Sequence, residues 1–322
     1  MNRIKKRLFG NTGLEVSEVG FGAWPIGGSH YGDVTDSDGI KAIETYIDAG
    51  GNHIDTARGY GKSEMLVGQV LNNINRDSIF LASKTIKGDC LDTIPEIRKE
   101  LEESLRQLKT DYLDLYYLHL PPDDIESMQR ALDEFEALQR EGKIKFIGAS
   151  IKAADVTPAT LELCHQYIET GRVNALQVVY SILRQLHAGM FEQAFEKGVA
   201  IIARTAIESG FLSGKYKPEH VFDGKIKNDH RNRWSAEKQK KIFAMAQEIK
   251  DWAVAAPYQT LAQVAIKFSL APGQISSLII GAKNARQVQM NVDTAVLPDL
   301  SSEIVEKLVR DYSEVTALAN IG

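Results

Sequence analysis

The stretch Asn52-His53-Ile54-Asp55-Thr56-Ala57-Arg58-Gly59-Tyr60-Gly61-Lys62-Ser63-Glu64 passes from a short apolar run, through a glycine-bearing loop, into a helix start. Residues 52–56 read as a strand buried on both faces, because they carry no polar alternation. Residues 63–71 begin Ser-Glu and read as an amphipathic helix. The strand–loop–helix unit repeats outward in both directions. Apolar runs lie at 16–24, 52–56, 79–83, 112–119, 144–150, 175–180, 199–203 and 277–281. Helical stretches fall between them at 37–49, 63–71, 93–108, 125–140, 157–170 and 190–197. Pro158 stands at a first helical position, and Gly142, Gly171 and Gly198 follow helix ends, as start and stop signals should. Eight strands alternating with helices predict a closed parallel (β/α)8 barrel rather than an open sheet.

Three pieces lie outside the repeat. Residues 6–16 read as a hairpin around Asn11-Thr12-Gly13 that covers the barrel bottom. Residues 235–256 read as a helix inserted before the last strand, and 301–318 as a C-terminal helix. With no linker or low-complexity tract in view, residues 1–322 are expected to form a single domain.

The composition is 43% hydrophobic and 25% charged, with a formal net charge of −5. A chain of this sign is not expected to bind nucleic acid or an anionic membrane. No apolar stretch approaches the roughly 20 residues of a membrane span. The basic start lacks the apolar core of a signal peptide. Cys90 and Cys164 form no C-x-x-C pair, which suits a reducing, cytoplasmic setting. No metal-spaced set of ligands and no G-x-G-x-x-G after a strand is present.

Four polar residues follow neighbouring strands: Asp55 and Tyr60 after the second, Lys84 after the third, His119 after the fourth. The C-terminal ends of barrel strands open on one face, where barrel enzymes carry their chemistry. An unperturbed tyrosine releases its proton only near pH 10, but a nearby ammonium favours the phenolate. Asp55 can hold Lys84, and His119 can orient a substrate oxygen. The set suits proton transfer to a carbonyl that accepts hydride, with Tyr60 as donor.

These residues carry a resemblance. Asp55-Thr56-Ala57-Arg58-Gly59-Tyr60-Gly61-Lys62-Ser63-Glu64 resembles the aldo-keto reductase signature D-T-A-x-x-Y-G-x-S-E. The likeness continues through Lys84, residues 112–119, Gly20-Phe21-Gly22-Ala23-Trp24 and Gly210-Phe211-Leu212-Ser213-Gly214-Lys215-Tyr216. It implies an Asp55-Tyr60-Lys84-His119 tetrad with Tyr60 as general acid or base, and a nicotinamide cofactor. It places Ser150 and Gln177 at the carboxamide, and counts Gly22, Ala23, Trp24 and Asp55 among the residues that contact the cofactor. Arg204 follows the seventh strand, and Thr205, Ile207, Ser209, Gly210 and Lys215 lie along the pyrophosphate. Gly281, Lys283, Gln287 and Asn291 come at the adenosine end. Four positions depart from the family pattern. Ile151 replaces a frequent Asn, Arg204 a frequent aromatic residue, Asn284 a frequent Arg and Met290 a frequent Glu.

The implied activity is reversible hydride transfer between a nicotinamide and a carbonyl or alcohol carbon of a small carbonyl or sugar-like molecule. An oxidative sugar or polyol dehydrogenase and a non-catalytic cofactor-binding regulatory subunit are the alternatives. Lys283, Asn284 and Gln287 predict NADP(H) in preference to NAD(H), with NAD(H) still usable. Substrate choice is expected from Trp24, the His30-Tyr31 loop, Tyr60, His119, the loop at 121–124 and the long loop at 215–234.

Overall fold

The computed structural model describes residues 4–28, 31–85, 94–151, 156–224 and 229–313. Two short antiparallel strands open the chain, β1 (Lys6–Leu8) and β2 (Glu15–Ser17). Eight parallel strands follow: β3 (Val19–Gly22), β4 (His53–Asp55), β5 (Phe80–Lys84), β6 (Leu113–His119), β7 (Ile144–Ser150), β8 (Ala175–Val179), β9 (Ala200–Arg204) and β10 (Ile275–Gly281). β10 pairs with both β9 and β3, so the barrel closes and leaves no edge. The strands are almost wholly buried, which is why they read as unbroken apolar runs. The first is shorter than the run at 16–24. Trp24 and Pro25 open a tight turn instead, since proline has no N–H for the ladder.

The helices surround this barrel: α1 (Asp36–Asp48), α2 (Ser63–Leu71), α3 (Ile94–Leu108), α4 (Ile125–Arg140), α5 (Pro158–Glu169) and α6 (Phe191–Glu196). Their starts are capped as the sequence suggests. Thr35 accepts from the Asp38 N–H at 3.1 Å, and Thr157 and Thr160 form a reciprocal cap ahead of Pro158. α7 (Ala236–Ala253) lies within the span expected for the inserted helix. α8 (Leu261–Leu270) was not foreseen. It is buried on most sides, so it shows no polar face from which a helical period could be read. Its start was legible in Thr260 and Gln263, which cap one another. α9 (Ala285–Ala295) and α10 (Ser302–Tyr312) complete the fold, the latter ending before the expected residue 318, which lies outside the described residues.

One core lies between barrel and helices, and a second fills the barrel itself with Val16, Phe80, Ala82, Leu115, Tyr117 and Ile202 among others. The hairpin closes the N-terminal end of the barrel, as expected. The Phe9 ring sits 4.7 Å from that of Phe80 and 5.4 Å from that of Phe146. Gly10 has φ +54°, and a Cβ there would lie 2.3 Å from the Gly198 carbonyl oxygen. Arg7 fastens the hairpin by donating to the carbonyls of Leu270 at 2.9 Å and Ile275 at 3.1 Å. The opposite, C-terminal end is left for the polar residues.

Candidate active site

Strand register decides which side chains meet at the open end. Lys84 lies opposite Tyr117, His119 opposite Ser150, Ser150 opposite Gln177, and Gly22 opposite Asp55. Asp55 ends β4 with its carboxylate buried. Lys84 Nζ donates to Asp55 Oδ1 at 2.5 Å and to the Thr56 carbonyl at 2.9 Å. The other carboxylate oxygen, Oδ2, accepts from Gln177 Nε2 at 2.7 Å. Ser150 Oγ donates to Gln177 Oε1 at 3.2 Å. A polar chain thus runs from Lys84 through Asp55 and Gln177 to Ser150.

Tyr60 is held over this chain by its loop. Its N–H bonds the Ala57 carbonyl at 3.0 Å, and Arg58 N–H bonds the Lys84 carbonyl at 3.2 Å. Arg58 pairs with buried Glu64 at 2.8 Å, which also accepts from Ser83 Oγ at 2.6 Å. Gly27 lets the turn approach, because a Cβ there would lie 1.9 Å from the Tyr60 carbonyl oxygen. The Lys84 ammonium then stands 4.9 Å from the Tyr60 ring centroid. His119 lies edge-on to Tyr60, with ring centroids 6.0 Å apart.

His119 Nδ1 is 3.1 Å from the Thr85 carbonyl oxygen, which can only accept. The proton therefore sits on Nδ1, and Nε2 keeps a lone pair. Burial, with the charges of Lys84 and Arg204 behind it, pushes the imidazole down to about 3, so it is neutral near pH 7.

Around this centre, Trp24 packs against Tyr31 at 5.0 Å, His230 at 4.8 Å and Tyr60 at 6.1 Å between ring centroids. His230, in the loop expected to set specificity, was not singled out by sequence. Nor were Thr85, which meets His119, or the neighbouring pair Asp229 and Arg231, which meets the distant Tyr31 and Ser209. His30 and Cys90 lie outside the described residues. Cys164 is buried and its thiol is pushed up to about 12 by desolvation.

Of the residues singled out for a cofactor, Ser150 and Gln177 meet by a hydrogen bond, and Arg204 reaches the residue that follows Ser150. Arg204 ends β9; its Nη2 donates to the Ile151 carbonyl at 2.5 Å, and its buried Nε has no hydrogen-bond partner among the described residues. Beyond it, Thr205, Glu208, Ser209 and Gly210 have φ of 68°, 46°, 55° and 97°. Three of these are consecutive, Glu208 to Gly210, so the chain turns sharply there. Ser209 Oγ meets His230 Nε2 at 3.1 Å, and Arg231 Nη1 reaches the Ser209 carbonyl at 3.4 Å. Lys283 donates to the Tyr31 carbonyl from the start of α9. Burial holds its ammonium below the usual range, and the charges of Arg231 and Lys215 add to this. Arg231 is paired with buried Asp229 at 2.8 Å, so Lys283 and Lys215 carry the charge left for a phosphate at this loop. Gln287 is turned back to the Lys283 N–H at 2.8 Å, and Lys215 and Met290 are exposed. Asn291 lines a small gap beside Phe21 and Tyr46.

A sequence profile of the Aldo/keto reductase family matches residues 18–310. The chain belongs to the aldo/keto reductase family. Family members are oxidoreductases that use nicotinamide cofactors on small carbonyl compounds. The chain is similar to an NADH-specific methylglyoxal reductase of Escherichia coli (strain K12), at 30% identity over 97% of this chain and 99% of that one. It is also similar to an L-galactose dehydrogenase of Arabidopsis thaliana, at 29% identity over 99% and 95%. The holo form of an aldo-keto reductase from Bacillus halodurans shares the fold, with TM-score 0.74 and 24% identity over 95% of this chain and 96% of that chain. No helix among the described residues is long and apolar enough to cross a membrane.

Proposed function

We propose that this family member is a nicotinamide-dependent carbonyl reductase, reversible in principle, in which Tyr60 moves the proton. The observation that carries the reading is the convergence of Lys84, Asp55 and His119 around the Tyr60 ring. Ser150, Gln177 and Arg204 would hold the carboxamide end of the cofactor, beside Gly22, Ala23 and Trp24. Thr205, Ile207, Ser209, Gly210 and Lys215 would follow the pyrophosphate, and Gly281, Lys283, Gln287 and Asn291 the adenosine end. The unpartnered Arg204 Nε and the cations at Ser209 fit such a group. Bound there, the nicotinamide supplies the hydride in reduction and accepts it in oxidation.

The protein's own residues do the rest. Tyr60 donates its phenolic hydrogen to the carbonyl oxygen and transfers it as that oxygen gains charge. Lys84 faces the resulting phenolate, and Asp55 keeps the ammonium in place. His119 is neutral and offers Nε2 as an acceptor, so it grips a hydroxyl hydrogen rather than a bare carbonyl oxygen. That favours substrates carrying a hydroxyl, presented between Trp24, Tyr31 and His119.

The test is Tyr60→Phe. General acid–base groups contribute about 10²–10⁴-fold, so turnover of an aldehyde panel should fall by at least about 10²-fold. Cofactor affinity, read by quenching of protein fluorescence, should stay near wild type. A variant that keeps wild-type turnover overturns the reading.

A further inference from the structure

Tyr117 lies one strand-register step from the proposed proton-transfer machinery and belongs to none of it. It sits on β6 opposite Lys84, inside the barrel and fully buried. Its hydroxyl comes toward Gln177 but closes no hydrogen bond of regular geometry. Burial raises the phenol well above its ordinary range, so it exchanges no proton near neutrality. An unpartnered buried hydroxyl is a cost without return, and this points to the ring as the part that matters.

The ring has a specific neighbour. Lys84 Nζ stands 5.5 Å from its centroid, while the ammonium also donates to Asp55 and the Thr56 carbonyl. The Tyr60 ring, at 4.9 Å, flanks the same ammonium. Two aromatic rings and one carboxylate therefore surround a fully buried cation. Cation–π attraction operates within about 6 Å and is strongest where water is excluded. The neighbouring strand makes room for this. Gly148 on β7 pairs with Tyr117, and a Cβ there would lie 2.5 Å from a Tyr117 ring carbon. Among the described residues, Asp55 and His53 on β4, His119 on β6, Arg204 on β9 and Tyr31 also face Lys84, Tyr60 or Tyr117.

We infer that Tyr117 is a positioning residue for Lys84: its ring is the second aromatic face that holds the ammonium against Tyr60, while its hydroxyl is dispensable. The inference rests on the proposed role of Tyr60, which Tyr60→Phe tests by itself. The experiment for Tyr117 compares Tyr117→Phe with Tyr117→Met, following alcohol oxidation against pH at saturating cofactor. Tyr117→Phe keeps the ring and should leave the rising limb of the profile in place, with no loss of thermal stability. Tyr117→Met fills the space without the π face. A less firmly held ammonium stabilises the phenolate less, so the limb should move to higher pH by roughly half a unit to one unit. A limb displaced equally by Tyr117→Phe overturns the inference by assigning the effect to the hydroxyl. A drop in melting temperature for Tyr117→Phe does the same. An unmoved limb in folded Tyr117→Met overturns it by showing the ring idle. If Tyr117→Met does not fold, Tyr117→Leu takes its place as the ring-deleting variant, with the same expected shift and the same overturning result.

Discussion

Lys283 shows how much a single side chain can decide. It stands one residue before the Asn284 cap of α9 and reaches the Tyr31 carbonyl, with Arg231 and Lys215 close by. Partly desolvated cations make strong bonds to phosphate, about 1.5–3 kcal/mol each. A 2′-phosphate at this corner would draw Lys283 away from Tyr31, so we expect roughly tenfold higher kcat/KM with NADPH than with NADH. Lys283→Ala should remove most of that preference and leave NADH kinetics nearly unchanged. Equal efficiency with both cofactors in the wild type would sink the assignment, and one relative is itself named NADH-specific. The sequence made Asp55, Tyr60, Lys84 and His119 visible because each follows its own strand. It hid the Thr85 bond that fixes the His119 tautomer, the Gln177–Asp55 link across the barrel, and the Arg204 bond to Ile151. Those depend on strand register and on which way a long side chain turns, and short apolar runs leave both open.

At the scale of elements, the loop after β9 carries a concentrated strain. Thr205, Glu208 and Ser209 all adopt left-handed backbone without being glycine. Such conformations persist only where surrounding contacts overrule them. Here the contact is a buried clasp: Glu208 is fully buried and accepts from Arg184 Nε at 2.9 Å and Nη2 at 2.7 Å, and from the Ser181 hydroxyl. Removing one partner of a buried ion pair costs about 3–5 kcal/mol. Glu208→Gln keeps the shape, retains a bond to Ser181 and deletes the charge. Its urea midpoint should fall clearly, and cofactor should bind at least about tenfold more weakly as the loop relaxes. An unchanged midpoint would show that the clasp does not hold the loop. Strand–helix alternation made β3 to β10 and their helices readable, and the hairpin could be read from Asn11-Thr12-Gly13. α8 escaped because a helix buried on nearly every side has no amphipathic stripe.

The whole molecule carries a titration signature set by three histidines. Burial pushes His53 down to about 4, His119 to about 3 and His187 to about 4. In the unfolded chain each would titrate near 6.5. Between those values and 6.5 the unfolded state binds more protons than the folded state, so folding stability falls as pH drops through that window. Each histidine contributes a slope of up to about 1.4 kcal/mol per pH unit. Urea unfolding at pH 7, 6 and 5 should show a steepening loss below pH 6, above the range where carboxylates titrate. A flat stability from pH 7 to 5 would contradict the burial of neutral imidazoles. The same dependence of one part on many others appears in the hairpin that closes the barrel floor. Arg7 bonds to carbonyls that lie 263 and 268 residues further along the chain. More than 260 residues must therefore leave the ribosome after Arg7 before its own bonds can form, although Phe80, Phe146 and Gly198, the other parts of the hairpin's seat, come sooner. The closing of the barrel by β10 and the last fastening of the hairpin by Arg7 then fall at the same stage.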